Sequence, residues 1–141
     1  MIAFNYETSF ELSDEKFLED WINEVALTHG YTIGEINYIF SDDTYLHKLN
    51  LDFLQHDTLT DIISFDSTLG KLIGGDIFIS VERVTENAKD YKVSFTDELH
   101  RVMIHGVLHY MGFKDKYSAD KKRMRKEENN ALILYKQLKI S

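Results

Sequence analysis

Two histidines four residues apart, His105 and His109, are followed by Gly112 and then by Asp115. On a helix, positions i and i+4 share a face, so the two imidazoles converge. Convergent imidazoles can hold a divalent transition metal, usually zinc. Gly112 can end the helix by taking a left-handed conformation that a Cβ disfavours. The chain then reverses, and Asp115 can return as a third donor. Three protein donors leave a fourth position for water or substrate, which is the layout of a catalytic site. One Zn2+ per chain, held by His105, His109 and Asp115, is the expected cofactor. Water activated at that metal is the expected nucleophile.

The full spacing, His-x3-His-x2-Gly-x2-Asp, is that of the extended zinc-protease motif with Asp in the last slot. In those proteases a Glu after the first His is the general base. Here that residue is Gly106, which can move no proton. Peptide hydrolysis of that type therefore lacks its base, and no other side chain is nominated by sequence.

The rest of the chain must position these groups. Its 141 residues suit one domain, residues 1–141, with one core. There is no cysteine, so disulfides are excluded and any zinc donors are His or carboxylate. That usage fits a cytoplasmic protein. No apolar run is long enough for a membrane helix, and the N-terminus lacks a signal pattern. The net charge of −8 argues against indiscriminate binding along a polyanion. Yet residues 114–126 hold seven basic and two acidic side chains, a local balance of +5. Alone, such a run is more commonly the solvated face of a helix. Beside a metal site, Lys114, Lys121, Lys122 and Arg123 could hold a phosphate backbone.

Ile2, Phe4 and Tyr6 alternate as in a half-buried strand. Ser13 is placed to cap a helix carrying Phe17, Leu18, Trp21, Ile22, Val25 and Ala26 on one face, closed by Gly30. Residues 33–41 read as a strand. Asp42 or Asp43 opens a helix with Leu46, Leu49 and Phe53. Residues 61–65 and 75–79 are short strands, separated by a turn at 67–70. Ser80 or Val81 starts a helix carrying Val84, Ala88 and Tyr91. Ser94 with Asp97 resembles a capping box before the His helix, whose apolar stripe makes it the most buried helix. Ser118 caps a last helix running to about Leu138. The fold class is α+β: a single domain with a small mixed sheet of about four strands and about five helices, the metal-binding helix packed on the sheet.

Three blocks of the chain resemble the YbeY family of metal-dependent endoribonucleases. The family's His-Gly-x-Leu-His-x-x-Gly-Tyr-Asp-His stands here as His105-Gly106-Val107-Leu108-His109-Tyr110-Met111-Gly112-Phe113-Lys114-Asp115. Its Thr-Asp-Val-Leu-Ser-Phe is Thr60-Asp61-Ile62-Ile63-Ser64-Phe65, and its Gly-Asp-Ile is Gly75-Asp76-Ile77. The resemblance runs from about Leu46 to the C-terminus. It implies a zinc-dependent hydrolase that cuts single-stranded RNA, matures the 3′ end of small-subunit ribosomal RNA and serves ribosome quality control. Ribosomal RNA and the ribosome or its proteins are the implied partners, with no membrane. The alternative is a ribosome-assembly binding protein in which zinc fixes the fold and turnover is small.

Two departures bear on that expectation. The family's third ligand is His, and here Asp115 takes the place, preceded by Lys114. Two imidazoles and a carboxylate leave a bound dication at +1 rather than +2, a weaker pull on water that Lys114 could partly offset. The family also carries an arginine after an aromatic residue, where Phe53 is followed by Leu54. His56 is a candidate substitute for that phosphate contact, although a lone His near a turn is more often a surface residue. Asp61 and Asp76 open strands, where bonding to nearby backbone is the favoured role and a part in the cleft the minor one. Glu98 and His100 are not placed on the ligand face by their spacing, and His29 and His47 carry no motif.

Overall fold

The structure, a computed structural model, describes residues 1–56 and 59–141. Among the described residues four strands form one sheet in the order β1-β2-β4-β3. They are β1 (Ile2–Tyr6), β2 (Thr32–Ser41), β3 (Ile62–Asp66) and β4 (Leu72–Ser80). β1 and β4 run parallel to β2, and β3 runs antiparallel to β4. A parallel neighbour needs a crossover, which α1 (Glu15–Thr28) supplies between β1 and β2. Then come α2 (Asp43–Leu49), α3 (Val81–Tyr91), α4 (Phe95–Tyr110) and α5 (Ser118–Ile140). The expected α+β class, strand number and helix number all hold.

Period-2 patterning decides which sheet face is covered. Ile36, Tyr38 and Phe40 of β2 are fully buried, as are Ile77 and Ile79 of β4. α4 lies over this face, carrying buried Val102, Met103, Val107 and Leu108. Tyr38 donates its hydroxyl proton to the Met103 carbonyl at 2.9 Å, which fixes the middle of the helix. α1 and α5 close the layer, and Trp21 joins them by donating Nε1–H to the Ala131 carbonyl at 2.8 Å.

Two glycines set how near α4 comes to the strands. A Cβ on Gly106 would meet the Ile77 and Ile62 methyls at 3.0 and 3.3 Å. The residue after the first histidine therefore faces packed strands, where a carboxylate would be buried without water. A Cβ on Gly75 would lie 2.5 Å from the Phe65 carbonyl oxygen and 2.6 Å from the Tyr110 ring. The space belongs to Tyr110, whose hydroxyl reaches the Asp76 and Phe65 carbonyls at 3.0 and 3.2 Å. This anchor pins the last turn of α4, where His109 sits. Asp76 accepts from Asn37 Nδ2 of β2 at 3.0 Å, a side-chain partner on the neighbouring strand in place of the nearby backbone expected.

Helix starts agree with the sequence where a side chain makes the cap. Asp42, Ser80 and Ser94 accept from the backbone N–H of Tyr45, Arg83 and Asp97. Elsewhere they shift. Asp14, not Ser13, precedes α1, and Tyr117 precedes α5, with Ser118 its first residue; neither has a side-chain cap. α2 ends at Leu49 and opens into a wider π-helical turn over Asn50–Leu54, closed by Gln55 at φ 56°. Phe53 sits on that turn, largely exposed, rather than on the buried face of α2. β4 starts at Leu72 because β2 offers it partners from Thr32 onward.

His100, on the side of α4 away from the sequence motif's convergence point, is buried against Trp21 and Tyr135, the latter ring 4.4 Å away. Burial pulls its pKa from the ordinary 6.5 down to about 4. The unfolded chain then binds this proton first, so the contribution is full above pH 6.5 and fades as pH falls toward 4. About 3 kcal/mol rides on that span. His100→Phe should flatten urea-melt stability between those limits; an unchanged acid slope would place His100 in contact with water.

Candidate metal centre

His105 and His109 lie one turn apart on α4, half-buried and facing the same way. A Schellman turn ends the helix: the Gly112 N–H reaches the His109 carbonyl and the Phe113 N–H the Leu108 carbonyl, at 3.0 and 3.1 Å. Gly112 is left-handed at φ 93°, as its position demands. The turn sends residues 113–117 back along the helix end and brings Asp115 to the two rings.

The three donor atoms form a near-equilateral triangle. His105 Nε2 is 3.0 Å from His109 Nε2 and 3.2 Å from Asp115 Oδ2; the third edge is 3.3 Å. Tetrahedral bonds of about 2.0 Å give donor–donor edges of about 3.3 Å. The set therefore fits a divalent ion, and these three residues could hold one. Zinc is compatible with two imidazoles and a carboxylate.

Glu128 of α5 completes the arrangement and was not foreseen from sequence. Its Oε2 sits 2.6 Å from His105 Nδ1. A proton held on Nδ1 leaves Nε2 with its lone pair toward the triangle, which fixes the tautomer a metal needs. The other oxygen accepts from Arg101 Nη1 at 3.0 Å. Burial opposes charge on both partners, but the shared bond outweighs it: His105 is raised and Glu128 lowered from their ordinary values. The signal was present in α5, where Met124, Glu128 and Ala131 make its buried stripe. An acid on the core-facing stripe of a helix implies a buried partner.

A cleft of about 440 Å³ opens beside the triangle, walled by Asp61, Glu98, Arg101, Arg125, Tyr91 and Glu128 among others. Asp61 takes both of its expected roles, bonding to its own backbone and that of Ile62 and standing in the cleft wall. Its carboxyl lies in the cleft, accepts from Asn87 at 3.3 Å, and is raised by burial. Glu98 is a correction: two helical turns before His105, it lines the same cleft, with its carboxyl raised by burial and by Asp61. The i, i+7 relation was the available signal.

The expected basic residues divide. Lys121 lines a lobe of about 250 Å³ shared with His105 and Asp115. Lys114 and Arg123 line a separate hollow of about 190 Å³ behind Gly112, with the Arg123 guanidinium 5.2 Å from the Phe113 ring centre. Lys122 and His56 are exposed and outside the cleft's lining. At 100° per residue a run of basic residues spreads around a helix, so it cannot all face one site.

If the Schellman turn delivers Asp115, Gly112→Val should lower stability and metal affinity together. A Cβ there has nothing within 4 Å, so the cost is conformational alone, about 1–2 kcal/mol. An unshifted melting temperature with full metal occupancy would show that the turn is built otherwise.

A helix laid on a mixed sheet, delivering two imidazoles and closed by a turn that returns a carboxylate, defines a single-domain α+β protein with a donor set that could hold a cation. The family model described as Endoribonuclease YbeY matches residues 3–136. An Endoribonuclease YbeY from Flavobacterium johnsoniae is 56% identical over 135 residues, covering 96% of this chain and 97% of its own. One from Bacteroides thetaiotaomicron is 41% identical over 136 residues, covering 94% and 99%. A solution structure of a Thermotoga maritima protein superposes with a TM-score of 0.68 at 26% identity, over 96% of this chain and 89% of that one. The chain belongs to the YbeY family. Among the described residues no helix is long and apolar enough to cross a membrane.

Proposed function

We propose that this protein is a zinc-dependent endoribonuclease that cuts single-stranded RNA in the cytoplasm and acts in maturing the 3′ end of small-subunit ribosomal RNA. The observation that carries the reading is the triangle of His105 Nε2, His109 Nε2 and Asp115 Oδ2, open on one side to the cleft. Family membership supports RNA as substrate, and relatives carry the name endoribonuclease. The contact with the ribosome and a part in its quality control rest on the resemblance alone.

A dication held by His105, His109 and Asp115 would supply Lewis acidity toward a phosphoryl oxygen and toward water. The chain's own residues set the geometry. His105 and His109 would present Nε2 lone pairs to the dication, and Glu128 holds the His105 proton at Nδ1 so that this nitrogen stays a donor to its carboxylate. Asp115 adds one negative charge to the centre. Gly106 offers no base, and its place against the strands leaves no room for one.

Digestion of single-stranded RNA and of an unstructured polypeptide, each with and without a chelator, tests the reading. RNA should be cut only without chelator, and the polypeptide in neither case. RNA bound but left whole would favour the ribosome-assembly binding protein, and a cut polypeptide a protease.

A further inference from the structure

The place where the family's arginine stands holds Leu54, on the π-helical turn and outside the cleft's lining. The cleft has guanidinium groups of its own. Arg101 lies one turn before His105 on α4, four residues away, and so overhangs the same helix face. Its side chain is about one-fifth exposed, and Nη1 donates to Glu128 Oε1 at 3.0 Å. Arg125, from α5, brings Nη1 to 3.7 Å from that same oxygen, with more than half of its side chain exposed. Both line the cleft that also contains His105, His109 and Asp115.

Glu128 thus does two things with one carboxylate. One oxygen orients the histidine of the metal triangle, and the other anchors a guanidinium beside it. A guanidinium has five N–H donors in a fixed plane, and one bond to Glu128 leaves donors free. Such a fork, held by a buried acid, matches the oxygens of a phosphate, and the anchor removes much of the entropy cost of aiming it. The charge in the cleft is mixed, because Asp61 and Glu98 share its wall. An entering phosphate is repelled by those carboxylates, so the arginines, rather than the overall sign of the cleft, decide where it sits.

We infer that Arg101, anchored by Glu128 and joined by Arg125, is the phosphate-binding site of this cleft and takes the place of the arginine missing at position 54. Glu128 then positions both the metal-side histidine and the group that holds the substrate backbone. The inference rests on the reading of RNA as substrate and deepens it. It also moves the backbone contact off the basic run at Lys114, Lys122 and Arg123, which lies outside this cleft.

The test uses a fluorescent single-stranded RNA oligomer made uncleavable by 2′-O-methyl groups, with metal-loaded protein. Arg101→Met and Arg125→Met are each expected to weaken binding by roughly tenfold, the loss of one charge-assisted hydrogen bond. Each should lower the slope of log affinity against log salt by about 0.7, one phosphate contact on a single strand. Zinc affinity, read by chelator competition, should stay within about twofold of wild type in Arg125→Met, because its link to Glu128 is long and exposed. Lys122→Met should change neither affinity nor slope. If Arg101→Met unfolds, Arg125→Met alone decides. Wild-type binding with variants of equal affinity and slope overturns the phosphate site while leaving the nuclease reading standing. A wild-type protein that neither binds nor cuts RNA removes that reading, and the phosphate site falls with it.

Discussion

Asp115→Ala is expected to weaken zinc binding by more than a hundredfold, a larger loss than outer contacts to metal ligands cause. The reason is geometric. Without Oδ2 the triangle becomes a pair of imidazoles, and a dication would take one more water in place of a charged donor. Asp115→His should recover most of the affinity, because the same turn presents a nitrogen instead. Competition against a chelator of known strength reads both variants. If Asp115→Ala binds zinc as tightly as wild type, the carboxylate is not a ligand, and the return of the chain after Gly112 serves some other purpose.

Gly75→Ala carries the largest expected effect on stability. The new methyl carbon would overlap the Phe65 carbonyl oxygen at 2.5 Å and the Tyr110 ring at 2.6 Å. A backbone oxygen within the β3–β4 pairing cannot readily step aside, so Tyr110 must leave or the strands must part. We expect a loss of about 3 kcal/mol, at the upper end of ordinary overpacking. For a domain of this size that is a fall of about 10 °C in melting temperature. Because Tyr110 pins the turn of α4 that carries His109, metal affinity should drop as well. A variant that melts with wild type would show that Tyr110 finds a second rotamer without cost.

The convergence of the three donor residues was legible because its information is local. His105, His109, Gly112 and Asp115 fall within eleven residues, and helix periodicity with one left-handed turn converts their spacing into geometry. Strand and helix positions were legible for the same reason, with boundaries moving where pairing partners decide them, as for Leu72 and Thr32. Glu128 was not legible as a partner of His105, since the two meet only when α5 folds across α4. Nor was the division of the basic run, where Lys121 faces the centre and Arg123 turns to Phe113. Arg101 and Glu98 were within reach: their spacing from His105 on one helix already placed them on its face.

The most direct test titrates zinc into protein freed of metal while following cleavage of an end-labelled single-stranded RNA. Cleavage should rise in proportion to zinc and level off at one equivalent per chain, and His109→Ala should not reach that level at the same concentration. Full cleavage by the metal-free protein, or none at one bound equivalent, would contradict the assignment of the His105–His109–Asp115 centre as the seat of RNA cleavage.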